Sequence, residues 1–337
     1  MTRTGTVSSV NLNIDELLSR PNFSPIQRVS STDAGLEGNI RSYENAGVPL
    51  IIEDLHKGPA WPSGMFHIQW FKQHANQELS VRNVHDGTDR VISLAEFVSR
   101  SQAANPSASQ EETERLYAKD IQCPEDWRDW LSTGGTIPEM LCPEGSNDIM
   151  KYLPQSVRVE TLMCYLGIGD TFTACHKDLC ASSGHNLMCY TEEGASSFWF
   201  MTKSNDAPAV ARHFQHLGHE IDWESHTITL EELAKAPFQV FVAEQKVGDF
   251  VLVPPRSCHQ VVNRGGLTLK MSWSRMTVKG AAVALRHELP IYRRVCRPEV
   301  YRIKSTIHHT LLHHTGQLEA RRGAASQLGV PKDTDPR

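Results

Sequence analysis

Apolar positions in this chain follow two regimes. From about Asn39 to Pro154 helical and extended periods alternate. A helix through Ser42–Asn45 meets a turn at Gly47-Val48-Pro49, and LIIEDL (50–55) follows as a strand. WPSG (61–64) is a turn, MFHIQWFKQHA (65–75) starts a helix, and ELSVRNV (78–84) is a strand. Ser93 and Glu96 have capping-box spacing, which predicts a helix over SLAEFVSRSQAA (93–104). NPSASQ (105–110) is a loop, Glu111 to Ala118 restarts a helix, and Tyr117–Ile121 passes into a strand. CPEDWRDWL (123–131) is helical, with Trp127 and Trp130 turned to the core.

From Val157 the runs shorten. VRVETLMCYLGIG, SSFWFMT, FQVFVA, VGDFVLVPP and LTLKMSWS are rich in aromatic and β-branched residues and bounded by Gly and Pro, the mark of strands. A long insertion, which includes FQVFVA, separates SSFWFMT from VGDFVLVPP. Its HFQHLGH (213–219) reads as a solvated helical face in preference to a zinc site, and Thr229 with Glu232 caps a helix. Beyond Thr277 helices return. Pro290 and Pro298 suit first turns, and Val300, Ile303, Ile307 and Leu311 form a stripe, leaving His308, His309, His313 and His314 on the surface. The expected organisation is a polar arm over 1–36 with one short helix at IDELLS, a supporting α/β region over 37–155 and a strand-rich core over 156–278. A helical module over 279–322 and a disordered tail over 323–337 follow.

Composition narrows the function. The net charge of −5 comes from 34 basic and 39 acidic residues without a basic run, so sequence-specific nucleic-acid binding is not expected, while a basic peptide would suit. Eight Cys without a C-x-x-C pair imply reduced thiols. The N-terminus lacks an apolar leader and no run is long enough to span a bilayer, so a soluble, intracellular protein without membrane attachment is expected.

The candidate chemistry centres on Tyr165–Asp178. His176 and Asp178 are two apart, so an extended strand turns both to one side, and His259 in VPPRSCHQVVN can join them from another strand. Two imidazoles and a carboxylate suit Fe(II) with an open face, and zinc accepts the same set. LTLKMSWS alternates, with Leu267, Leu269, Met271 and Trp273 on one face and Thr268, Lys270, Ser272 and Ser274 on the other. Lys270 either looks into a barrel, where it needs a partner, or sits at the rim and reaches water.

Tyr165-x-Gly167, Thr173-x-x-His176-x-Asp178, Gly248-Asp249 with Pro254, and His259 with Asn263 resemble the JmjC domain. LYAKDIQCPEDW (116–127) and AGVPLIIEDL (46–55) resemble the segments that precede that core. The resemblance implies an α+β protein built on a double-stranded β-helix, a cupin-like jelly roll. It also implies a dioxygenase that uses Fe(II), 2-oxoglutarate and O2, with His176, Asp178 and His259 as ligands and Thr173 on the cosubstrate. The family's usual Lys beside the aromatic pair is replaced here by Ser196 and Ser197. Lys270-x-Ser272 resembles the Arg-x-Ser anchor of other 2-oxoglutarate oxygenases and is the expected substitute. Asn186, at the end of an expected loop CASSGHN (180–186), and Tyr117 are further cosubstrate candidates, and Tyr165 is either a methyl-lysine contact or a core strand residue. The implied activity is nuclear histone lysine demethylation on a methylated histone tail, as a chromatin regulator. Alternatives are a hydroxylase of a non-histone protein and a non-catalytic chromatin scaffold. The C-terminal helices are a possible homodimer contact.

Overall fold

The structure, a computed structural model, describes residues 8–192 and 194–327. Its strands in chain order are β1 (Phe23–Pro25), β2 (Gln27–Ser30), β3 (Leu50–Glu53), β4 (Glu78–Asn83), β5 (Asp89–Ser93) and β6 (Leu116–Gln122). The core strands are β7 (Met163–Gly167), β8 (Phe172–Lys177), β9 (Ser183–Thr191), β10 (Ser196–Met201), β11 (Val240–Gln245), β12 (Phe250–Val253), β13 (Cys258–Arg264) and β14 (Thr268–Arg275). These eight make two antiparallel four-stranded groups, in the orders β11-β10-β13-β8 and β12-β9-β14-β7. The first is extended by β1; the second carries β3 and β2 on one side and β6, β4 and β5 on the other. The protein is thus mixed α and β, built on large sheets.

Burial explains why the core strands read as continuous apolar runs: both faces are covered. Along β10, Phe198 and Phe200 pack under the insertion with Phe214, Leu233 and Val240, while Trp199 and Met201 turn inward to Ile51, Val251 and Val261. On β14, Leu269, Met271 and Trp273 join the largest core with Phe66, Phe71, Phe97 and Trp127. Its polar face is left for the interior, as the alternation implied.

Local signals held where chemistry dictates them. Thr229 and Glu232 make a complete capping box, Ser93 caps the helix Leu94–Ala103, and Gly47, at φ 65°, ends the helix Leu36–Ala46. Elsewhere the structure corrects the expectation. The N-terminal stretch contains the short helix Ile14–Leu18, but residues 23–30 are not a separate arm: β1 pairs with β11 and β2 with β3, both parallel. Strands of three and four residues at sheet edges carry too little alternation to be read. Residues 111–115 form no helix; buried Arg115 donates to Glu112, Asn105 O and Gly169 O, and these anchors shape the stretch. The last helix starts at Ile303, not at Pro298, and runs to Gln327, past the expected boundary at 323; residues 328–337 lie outside the described ones. Of the expected stripe only Ile303 and Ile307 pack, whereas Val300 and Leu311 are exposed. His213, His216 and His219 do not converge: His213 meets Phe238 edge-on, and His219 stacks on His226.

One buried carboxylate ties three distant segments. Asp170 Oδ1 accepts from Ser9 N and Oγ, both at 2.6 Å, and Oδ2 accepts from Ala108 N at 2.8 Å. Asp170→Ala strands these donors and should cost about 2–4 kcal/mol, from one to three per orphaned buried group less relaxation. Urea unfolding measures it, and an unchanged midpoint would rule the latch out.

Candidate active site

The core strands bring the candidate ligands together. His176 on β8 lies directly opposite His259 on β13, and their ring centroids are 4.1 Å apart. Asp178 follows β8 with extended backbone, φ −59° and ψ 146°, so it stays on the side of His176. One ligand atom from each of the three lies within 4.8 Å of the others. Each imidazole is oriented through Nδ1, which faces the backbone carbonyl two residues before it: Ala174 O at 2.9 Å for His176 and Ser257 O at 3.1 Å for His259. That contact leaves each Nε2 as the ligating atom.

The residues fit a metal. Asp178 Oδ2 is buried without a hydrogen-bond partner, and a Cβ at Gly184 would stand 2.0 Å from it, so only glycine leaves this carboxylate room. Burial pushes His259 down to about 4 and His176 below its ordinary value, which keeps both imidazoles neutral at pH 7, as ligation requires. Burial also pushes Asp178 up to about 6, against the pull of His176, a penalty that a bound dication would reverse. The set suits Fe(II), and zinc would accept it too.

These ligands open on a cavity of about 670 Å³ that also receives Tyr117, Thr173, Asn186, Lys270 and Ser272. Lys270 is 2 % exposed, so the rim reading is set aside. Its Nζ donates to Asn263 Oδ1 at 2.6 Å, and among the described residues no carboxylate lies within ion-pair distance of it. Burial therefore pushes the ammonium down to about 7. Asn263 Oδ1 also accepts from Ser197 Oγ at 2.7 Å, so the lysine arriving from β14 reaches the place of the serine on β10. Thr173 and Tyr117 face each other with hydroxyls 3.3 Å apart, and burial raises Tyr117 to about 12.

The remaining candidates are partly engaged. Ser272 donates its proton to His185 O at 2.7 Å. Asn186 is not in a loop: CASSGHN runs into β9, where Asn186 pairs with Val251 and Ser272 and accepts from Gln245 Nε2 at 3.1 Å. Seven polar and apolar residues in a row are buried there, because sheet neighbours cover both faces, and no propensity announces that. Tyr165 is half-buried and donates to Asp120 Oδ1 at 2.7 Å. Two residues that touch the site's lining escaped the sequence reading. Gln245 accepts from Trp199 Nε1 at 2.8 Å and so links the wall beside His259 to Asn186, and Gly184 makes room for Asp178. The only advance signal was an isolated glycine within a strand.

Three residues with metal-ligand geometry stand beside a buried lysine that has no counter-charge among the described residues, both inside a twin-sheet barrel, an arrangement compatible with a non-haem metal site. Residues 163–274 match the family described as "JmjC domain, hydroxylase", and the chain contains a JmjC domain over that span, hence a cupin-like jelly roll. That family typically uses Fe(II) and 2-oxoglutarate. The chain is also similar to C-module-binding factor A of Dictyostelium discoideum, with 32% identity over 279 residues, 81% of this chain. It spans 27% of that relative's length. Among the described residues no helix is long and apolar enough to cross a membrane.

Proposed function

We propose that the protein is an Fe(II)- and 2-oxoglutarate-dependent oxygenase of a protein substrate, and that it demethylates a histone lysine by hydroxylating the N-methyl group. The observation that carries this reading is that the ligand cluster and an ammonium without a counter-charge among the described residues share one cavity. His176 and His259 would hold the metal through Nε2 and Asp178 through a carboxylate oxygen. Lys270, Thr173 and Tyr117 would take the distal carboxylate of the cosubstrate, an ionic and hydroxyl set suited to it. When bound, iron with 2-oxoglutarate and O2 supplies C–H oxidation: one oxygen atom enters the substrate, the other enters succinate, and CO2 leaves. The chain supplies position and dryness. Asn263 aims the Lys270 ammonium, Trp199 and Trp273 wall the cavity, and the Tyr165–Asp120 pair presents a fixed hydroxyl to the incoming side chain. A hydroxylated N-methyl group is a hemiaminal and splits into formaldehyde and the shortened amine.

The test is incubation with Fe(II), 2-oxoglutarate, O2 and methyl-lysine histone peptides, read by mass. Loss of one methyl with formaldehyde release is expected. A peptide that gains one oxygen would instead mark a hydroxylase. A second reading, a non-catalytic chromatin-binding module, is favoured by Ser196 and Ser197 and by the relative's name as a binding factor. Absence of succinate with every peptide would select it.

The anion pocket has a pH signature. Because burial holds the Lys270 ammonium near 7, the free protein loses the positive charge as pH rises above that value, and binding a carboxylate must then take a proton back. The Kd for 2-oxoglutarate should rise up to about tenfold per pH unit above 7 and level off below about 6. Calorimetry in two buffers of different ionisation heat would show proton uptake at pH 8; a flat Kd would exclude the role.

The same reading puts the protein in the nucleus with a methylated histone tail as partner. It includes a homodimer through the last helix, whose Leu311 and Leu318, one heptad apart, are 62% and 58% exposed. Sedimentation should show a dimer that Leu311→Asp with Leu318→Asp dissolves; a monomer at every concentration would end that proposal.

A further inference from the structure

Lys177 stands between two of the three proposed ligands, and it is buried. Extended geometry turns its side chain to the face of β8 opposite His176 and Asp178. There Nζ meets Glu288 at 2.7 Å and Asp222 at 3.2 Å, and the three side chains are 3 % exposed or less. The other oxygen of Glu288 accepts from Arg256 Nε at 2.8 Å. Glu288 closes a single π turn, Ala284–Glu288, set between the helices Val278–Val283 and Leu289–Val295. Single π turns inside helices are frequent at functional sites.

The same helical unit grips the chain on the far side of Asp178. Cys180 N donates to the Tyr292 hydroxyl at 2.8 Å. Cys180 and Ala181 both take left-handed backbone, at φ 56° and 54°, a conformation that persists only where its surroundings enforce it. Gly280 lies so close that a Cβ there would be 2.8 Å from Ala181 O. Adhesion alone would not require charges. Met276, Ala281, Ala284, Leu289 and Tyr292 already bury an apolar contact with Cys180 and Ala181, and buried ions usually hold elements together less well than apolar side chains. What a hydrogen-bonded ammonium adds is a fixed position.

We infer that Glu288 and Tyr292 are positioning residues for the metal centre: residues 278–295 clamp the chain on both sides of Asp178 and set the direction of its carboxylate. This rests on the reading of His176, Asp178 and His259 as a metal site and adds the part of the chain that holds it in shape. The probe is Co(II) alone, whose visible absorption reports coordination geometry, titrated into the full chain. Glu288→Gln should weaken Co(II) binding by about 10–100-fold and alter the band shape, and Tyr292→Phe should do so less strongly. Leu289→Ala, which loosens the apolar contact without touching either tie, should lower thermal stability and keep Co(II) affinity within about twofold, well under that outer-shell range. Should Glu288→Gln fail to fold, Tyr292→Phe, which loses one hydroxyl, decides alone. Wild-type affinity and spectrum in the folded variants overturn the clamp. No Co(II) uptake by the wild-type protein overturns the metal reading itself, and the clamp with it.

Discussion

His176→Ala should abolish 2-oxoglutarate turnover and weaken Co(II) binding by more than about 100-fold, the upper range for removing a mere outer-shell partner. The reason lies in the geometry. Among the described residues three side chains converge, and loss of an imidazole leaves two donors with Asp178 Oδ2 still buried and unsatisfied. The fold should survive, because His176 belongs to no apolar cluster and its Nδ1 contact is to its own strand. Circular dichroism separates the two effects. Retained succinate production would show that the cluster is not the catalytic centre. Loss of both activity and fold would be settled with His259→Gln, which keeps volume and removes the ligating nitrogen.

Lys270→Met should act in opposite directions on binding and stability. A charge-assisted hydrogen bond is worth about 1.5–3 kcal/mol, so the Kd for 2-oxoglutarate should rise roughly 10- to 150-fold. The free protein should gain about 1 kcal/mol or more in stability, since an ammonium without a counter-charge leaves the interior and the methionine fills its space. The pH dependence of binding should vanish with it. Because Ser197 and Lys270 meet at the same Asn263 oxygen, adding Ser197→Lys to Lys270→Met should restore part of the affinity from the other sheet. A variant that binds 2-oxoglutarate as the wild type does, at every pH, would place the anion elsewhere. Lower stability with unchanged binding would make Lys270 a structural residue.

The linear chain carried a good deal of this site. His-x-Asp on an extended run fixes a shared side through strand period alone, and the alternation of LTLKMSWS put Lys270 and Ser272 together on its polar face before any contact was known. Caps were equally readable, because a hydroxyl three residues before a carboxylate is a local event. Legibility fell off wherever the cause was distant. The polar stretch ahead of Asn186 looked like a loop because its burial comes from β12 and β14, which lie far along the chain. The helix expected over residues 111–118 lost to a guanidinium satisfied by carbonyls of two other loops.

By itself, then, the sequence determined which side chains could be ligands, that His176 and Asp178 share one side of an extended run, and that the core is made of short strands, since these follow from a period of two and from turn residues. Only the tertiary structure decided that His259 lies opposite His176, that Lys270 is buried rather than at the rim, and that Lys177 binds a glutamate carried by the C-terminal helices. Register between strands and the pairing of buried charges depend on contacts between residues tens to more than a hundred positions apart. No local preference encodes them, and they arise when the whole core closes.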